Sequence, residues 1–532
     1  MKNIFIATLF IFFLLVFFIA ASYKINPISG GITSYGDATY FYNYKDISLW
    51  EQNFGNGANL ENTIFLYANR KILGKFLGFI GLNHAYISYF IWFLPILFCS
   101  LVYFILNYKL TKNHFFCFVA GIFVVFTNQS IEYLLFYPDP YFYAIGVLGI
   151  YIYISKKIYE NLEIHRIEIV FIILLSLLLL HPFFLIIAIL YWLVFLIFFL
   201  FRKYSVKNLF KALMVFSGFL LMGSYWLIPF FSTLFAFGNI TSDVYSQISL
   251  NAVYQAYLRQ GKIYDILCGW TYPNESMGAF KHILNNKVNI LFNFIIWNLS
   301  ILPLFFKKNL NQFQIILIIL LWFFLGISFG PNNPLFASVW NYLWENVTAF
   351  RFFRSFSRFS IILIPIIVFI LAISFNKISK KYKNILIAIF FIFLIVTRIK
   401  IFSGDFMGAV PKSYQIPLCY QQLNEKLAND KENYSIIRYP TVGYETYVWN
   451  KNRGYEYFPQ CYYLMEYYLN KKIIYDKFAF NLREKSNFYK NLFPINLNDN
   501  QRNVIHTLPL LNGKYIMVNN DFINIISENK YA

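Results

Sequence analysis

The sequence predicts an all-α polytopic membrane domain of about eleven transmembrane helices followed by a small α+β outer domain. Three observations predict it. Of the 532 residues, 58% are hydrophobic and only 13% charged, a balance foreign to ordinary soluble domains. Apolar runs recur through the first 402 residues, and about 20 such residues suffice to cross a bilayer as a helix. After Ser403 charges of both signs, Asn, Tyr and Pro become frequent, and no further spanning run follows.

Taken in order, the runs place helices near 4–23, 85–107, 114–128, 139–155, 168–181, 183–201, 212–231, 288–306, 313–329, 359–376 and 385–402. The first follows Lys2 and ends at Ala20, Ala21 and Ser22, small residues that would also suit a cleaved signal peptide. The length of the run favours a retained helix. Glu168 to Phe201 is too long for one span, and His181-Pro182 divides it into two helices joined by a tight turn.

Orientation follows from loops that played no part in finding the spans. Lys109 and Lys112, then Lys156, Lys157 and Arg166, then Arg202, Lys203, Lys207 and Lys211 fall on one side if the helices alternate. Lys307, Lys308, Lys377, Lys380, Lys381 and Lys383 continue the series. The positive-inside rule makes that side cytoplasmic, with the N-terminus inside and the C-terminal domain extracytoplasmic in a multi-pass cell-membrane protein. The net charge of +20 therefore reports topology, and nucleic acid is excluded as a partner. Residues 1–402 form the transmembrane domain, with outer loops 24–84, 232–287 and 330–358, and residues 403–532 form the outer domain. Within the latter, 434–440 and 513–521 read as strands, and 460–492 as partly helical.

Cys99 and Cys117 fall in apolar runs as inert small hydrophobes, whereas Cys419 and Cys461 leave pairing open. No Cys/His spacing of metal-site type occurs, and no DxD triplet stands in the first or second outer loop. No cofactor is expected, with a divalent metal left open. Walker loops and GxGxxG fingerprints are absent too, which argues against nucleotide-driven transport and a nucleotide-sugar donor.

The polar complexity lies in the outer segments. YGDATYFYN (35–43) sets Asp37 among aromatics just beyond the first helix. Asp37-Ala38-Thr39-Tyr40 resembles the first outer loop of GT-C glycosyltransferases, many of which carry Asp-Glu-Ala-x-Tyr there; the Glu is missing here. GSYWLIPFF (223–231), FGPNNPLFASVWNYLWENVTAFRFFRSFSRF (329–359) and LPLLNGKYIMVNND (508–521) are similar to parts of the large mycobacterial arabinofuranosyltransferases and of YfhO-type membrane proteins. The resemblance implies a transferase that moves sugar from a polyprenyl-phosphate-linked donor to a glycan, glycolipid or protein acceptor at the outer face of the membrane.

Such chemistry asks for particular groups. A carboxylate must take the acceptor proton as the oxocarbenium-like centre forms, and Asp37 is the candidate base. Asp139 in FYPDPYFY (136–143) is either a second acid or a helix N-cap followed by proline. Arg351, Arg354 and Arg358 share one face if helical and suit the leaving phosphate, with Arg70 and Lys71 as a second set. His181 is either a helix-end hydrogen-bonding group or a contact to carrier phosphate or acceptor. Tyr40 and Trp50 suit either sugar stacking or an aromatic belt. Arg438, Tyr439 and Glu445 are outer-domain candidates for acceptor contact.

Two other classes compete. A lipid-linked saccharide transporter or flippase would place ionisable residues inside the spans, whose interiors read as almost free of charge. A non-catalytic cell-envelope assembly protein would use the C-terminal domain as its working part.

Overall fold

The computed structural model describes residues 50–51, 58–59, 64–82, 84–131, 138–180, 182–201, 206–236, 266–267, 287–301, 311–335, 337–347, 356–378, 380–402, 418–432, 434–439, 472–474 and 513–518. The chain divides into two compact units. One comprises Met1–Lys24, Phe90–Leu234 and Val253–Met407, and the other Ile25–Tyr89, Phe235–Ala252 and Gly408–Ala532.

The elements come in the order β1 (Trp50–Glu51), β2 (Ala58–Asn59), α1 (Ile64–Phe79), α2 (His84–Thr111), α3 (His114–Val125), α4 (Pro138–Tyr159), α5 (Arg166–Leu175), α6 (Pro182–Leu200) and α7 (Val206–Ala236). There follow α8 (Lys287–Ile301), α9 (Gln312–Ser328), α10 (Ala337–Asn346), α11 (Leu363–Phe375), α12 (Lys380–Phe402), α13 (Leu418–Asn429), β3 (Ser435–Tyr439), β4 (Lys472–Ile474) and β5 (Gly513–Val518). Helices α2 to α9, α11 and α12 coincide with ten of the expected spans. The run near 4–23 lies outside the described residues. Among the described residues, four segments are individually long and apolar enough to cross a membrane, Phe93–Thr111, Phe183–Leu200, Val206–Ser224 and Phe356–Phe375. The chain is a membrane protein.

The helical unit is organised around α11. Its sequence LIPIIVFILAISF is apolar on every face, and a helix hydrophobic all round belongs in the interior. The stretch Phe356–Phe375 is 94% buried, against 28% for Val206–Ser224 in α7. Helix α11 touches α3, α4, α8 and α9, while α12 packs on α3 and α8. Perimeter side chains such as Phe171, Leu221, Ile385 and Ile392 stay exposed and apolar, as a surface facing lipid requires.

Small residues let α2 and α4 approach closely. A Cβ added at Gly146 would stand 2.6 Å from the Phe98 ring, and one at Gly149 would stand 2.8 Å from the Tyr103 ring. That intimacy lets the buried Tyr103 hydroxyl donate to the Ile145 carbonyl at 3.0 Å.

The expected break near His181 takes a definite form. Helix α5 ends at Leu175, a 3₁₀ turn covers Ser176–Leu178, and α6 begins at Pro182. Proline fits the first position of a helix and disfavours helix in the residue before it.

In the second unit, β1 and β2 pair antiparallel with Trp50 opposite Asn59. The first outer loop also carries α1, which the apolar-run reading did not single out. Strands β4-β3-β5 form a parallel sheet in which Ile436 pairs with Ile473 and Tyr515. Strands β3 and β5 fall within the expected 434–440 and 513–521. Strand β4 falls within 460–492, where the β-branched pair Ile473 and Ile474 extends along β3; the rest of that stretch, expected to be partly helical, lies outside the described residues.

Candidate functional site

The polar residues that converge within the helical unit begin where α3 stops. Thr127, Asn128, Gln129 and Ser130 interrupt an apolar run, and all four are buried. Their side chains compete with the helix for its own backbone. The Ser130 amide donates to Thr127 Oγ1 at 3.0 Å, Thr127 Oγ1 donates to Ser130 Oγ at 2.7 Å, and Ser130 Oγ donates to the Val124 carbonyl.

This turn is tied to three other elements. Arg398, near the end of α12 and with no exposed surface, donates from Nε to the Phe126 carbonyl at 2.7 Å and from Nη2 to Asn128 Oδ1. Its guanidinium also lies 6.0 Å from the centre of the Phe292 ring on α8. Gln129 Nε2 donates to Ser360 Oγ at 2.8 Å, and Ser360 Oγ donates to the Ser357 carbonyl at 2.6 Å. Ser130 Oγ lies 3.3 Å from the Tyr141 hydroxyl on the first turns of α4.

The partners matter because of what stands beside them in sequence. Tyr141 follows Asp139 by two positions, and Asp139 is the second residue of α4. It is therefore inside the first turn, two positions beyond the N-cap rather than at it. Ser357 and Ser360 flank Arg358 on the 3₁₀ helix Phe356–Ile362 that leads into α11. Arg358 is half-buried there. Phe183 follows His181 by two positions, and its ring packs 4.7 Å from that of Phe359. Phe184 stands 6.4 Å from Tyr141, and Trp340 of α10 stands 4.6 Å from Phe356. Segments adjoining Asp139, His181 and Arg358 thus meet in one layer.

Gly330 supports that layer from α9. It has φ +50 in the turn after the helix, and a Cβ there would stand 2.8 Å from the Phe356 ring.

Asp37, Tyr40, His181, Arg351, Arg354 and Glu445 lie outside the described residues. Trp50 stands in β1, Arg70 and Lys71 in α1, and Arg438 and Tyr439 in β3, all in the second unit. Sequence reasoning passed over Thr127–Ser130 and Arg398. A polar tetrad breaking an apolar run, and an arginine within the expected span 385–402, were the signals; an ionisable residue in a span marks function by default.

No protein-family profile matches the chain, and no curated protein matches it. Solved structures do. The arabinofuranosyltransferase AftD from Mycobacteria superposes with a TM-score of 0.51 at 10% identity over 89% of this chain and 32% of its own. Its R1389S variant gives 0.53 at 11% over 89% and 33%. The archaeal oligosaccharyltransferase AglB from Archaeoglobus fulgidus, in complex with an inhibitory peptide and a dolichol-phosphate, gives 0.52 at 12% identity over 97% of this chain and 69% of its own. The chain spans about a third of the length of AftD. The likeness is one of fold, shared with both AftD and AglB.

Proposed function

We propose, from the fold shared with these transferases, that the chain moves a sugar from a polyprenyl-phosphate-linked donor to a glycan, glycolipid or protein acceptor at the extracytoplasmic face of the membrane. The observation that carries the reading is likeness over 97% of this chain to a glycosyltransferase bound to a lipid phosphate and a peptide. The convergence of the segments beside Asp139, His181 and Arg358 on one buried polar layer supports it.

In this reading Asp37 takes the proton of the acceptor hydroxyl as the bond from the anomeric carbon to the carrier phosphate breaks. Asp139 is the second acid. Arg351, Arg354 and Arg358, with Arg70, Lys71 and His181, meet the negative charge that collects on the leaving phosphate. Tyr40 and Trp50 offer flat faces to sugar rings. The layer of Asn128, Gln129, Ser130 and Arg398 is a positioning device: it fixes the first turn of α4 and the 3₁₀ helix of Arg358 against α12.

The test is transfer of labelled sugar from a panel of polyprenyl-phosphate sugars in purified membranes. The intact protein is compared with Asp37→Asn and Asp37→Ala at matched expression. Loss of a general base lowers turnover by about 10²–10⁴-fold, so both variants are expected to fall by that order while still binding donor. An intact protein that consumes no donor, or variants that work normally, would sink the assignment and favour transport or assembly.

A further inference from the structure

Helix α1, in the first outer loop, has two apolar sides with different fates. Gly74 and Leu77 are buried. On the opposite side Ile72, Phe76, Phe79 and Ile80 are each more than half exposed, Phe79 to 89%. Their spacing of i, i+4, i+7 and i+8 gathers them into one stripe, and the exposed Lys75 borders it. Large apolar side chains left open side by side mark a surface that meets something other than water.

The way α1 ends points to the partner. The Leu82 amide donates to the Leu77 carbonyl at 3.2 Å and the Gly81 amide to the Gly78 carbonyl at 3.0 Å, with Gly81 at φ +85. This is a helix cap built on a left-handed glycine. A Cβ at Gly81 would meet nothing within 4 Å, so backbone conformation, and not space, calls for glycine there. The cap stops α1 and turns the chain into α2, which starts at His84 and contains the membrane-crossing stretch Phe93–Thr111. Lys109 and Lys112 mark the far end of α2 as cytoplasmic, so α1 stands at its outer end. The apolar run of α2 begins at Ala85, six residues after Phe79, at most about 22 Å of fully extended chain and less through a tight cap. The most exposed end of the stripe is therefore tied to the point where the chain enters hydrocarbon. An apolar face with aromatic rings, bordered by a lysine, suits a helix lying in the boundary between acyl chains and headgroups.

We infer that α1 docks on the outer leaflet of the bilayer, with Ile72, Phe76, Phe79 and Ile80 sunk among the upper acyl carbons and Lys75 at the headgroup phosphates. Helix α1 closes the first outer loop, on which the sequence places Asp37, so docking tethers the end of that loop at headgroup depth. The inference stands on exposure and chain connection and does not depend on the transferase reading.

The experiment places the photoreactive analogue p-benzoylphenylalanine singly at Phe76, at Phe79 and at Lys75 in the full chain, reconstituted in nanodiscs of phosphatidylcholine with a minority of phosphatidylglycerol. Irradiation is followed by mass spectrometry of the adducts. Phe76 and Phe79 are exposed and the analogue extends their rings into open space, so the fold is expected to survive. Both probes should capture phospholipid through its acyl chain, and the Lys75 probe, on the border of the stripe, several-fold less. Cross-links from Phe76 and Phe79 to other parts of the chain or to a second copy would mean that protein covers the face and would overturn the docking. Absence of any adduct at both, the result for a face open to water, would overturn it too, as would equal lipid capture at all three positions. Sugar transfer is not a readout, so failure of the transferase reading leaves this result unaffected.

Discussion

Arg398 shows how one side chain holds a turn in place. Its guanidinium stays charged in any environment a protein provides, so groups around it must replace the water it has lost. The Phe126 carbonyl and Asn128 Oδ1 supply that replacement across 272 and 270 residues of sequence. Arg398→Leu removes the donors and leaves both acceptors buried, each worth about 1–3 kcal/mol when unsatisfied. A loss of about 3 kcal/mol is expected, read as a lower Tm in detergent, and a change within error would show that the turn stands without the arginine. Arg398→Lys keeps the charge without the planar fork and should restore only part of the loss. This half of the candidate site was legible as a single charged letter in an apolar run. Its meaning was hidden because its partners, Phe126 and Asn128, are distant in sequence and one of them is a backbone carbonyl. Asp139 and Arg358 were legible as residue types, but their local geometry was not: a helix that begins before the expected cap and a 3₁₀ turn are settled by packing, which residue spacing does not record.

At the scale of elements, the contact between α2 and α4 depends on the absence of side chains. Gly149→Ala would place a methyl 2.8 Å from the Tyr103 ring, and overpacking of this kind costs about 1–3 kcal/mol. Gly149→Leu should be worse, and pairing Gly149→Ala with Tyr103→Ala should recover part of the overpacking cost. Thermal unfolding of the variants measures both, and a Gly149→Ala protein as stable as the parent would mean that the helices can separate without penalty. The helices themselves were readable because length and apolarity alone define a span, and ten of the expected segments are helical. Hydropathy did not rank them: α11 and α6 read alike, and only the structure shows α11 in contact with α3, α4, α8 and α9. Helix α1 escaped because it is mixed in character, and β4 because three residues carry too little pattern to stand out.

The whole molecule turns on which end of the bundle faces the cytoplasm. The lysine-rich ends of α3 and α12 are assigned there by the positive-inside rule, and the layer around Arg398 to the outside. Cysteines introduced singly at Lys203 and Lys377 are expected to react with a membrane-impermeant maleimide only after permeabilisation, and those at Asn346 and Lys426 in intact cells. Labelling of Lys377→Cys in intact cells would reverse the orientation and move both proposed sites to the wrong faces. The bond between Arg398 and the end of α3 also governs how the chain is made. Helix α12 leaves the ribosome some 270 residues after Asn128, carrying an arginine whose insertion alone is penalised by up to about 3 kcal/mol. The apolar residues of α12 outweigh that penalty and carry it into the bilayer, where the arginine finds α3 already waiting with its acceptors in place, a closing stitch on the earlier spans.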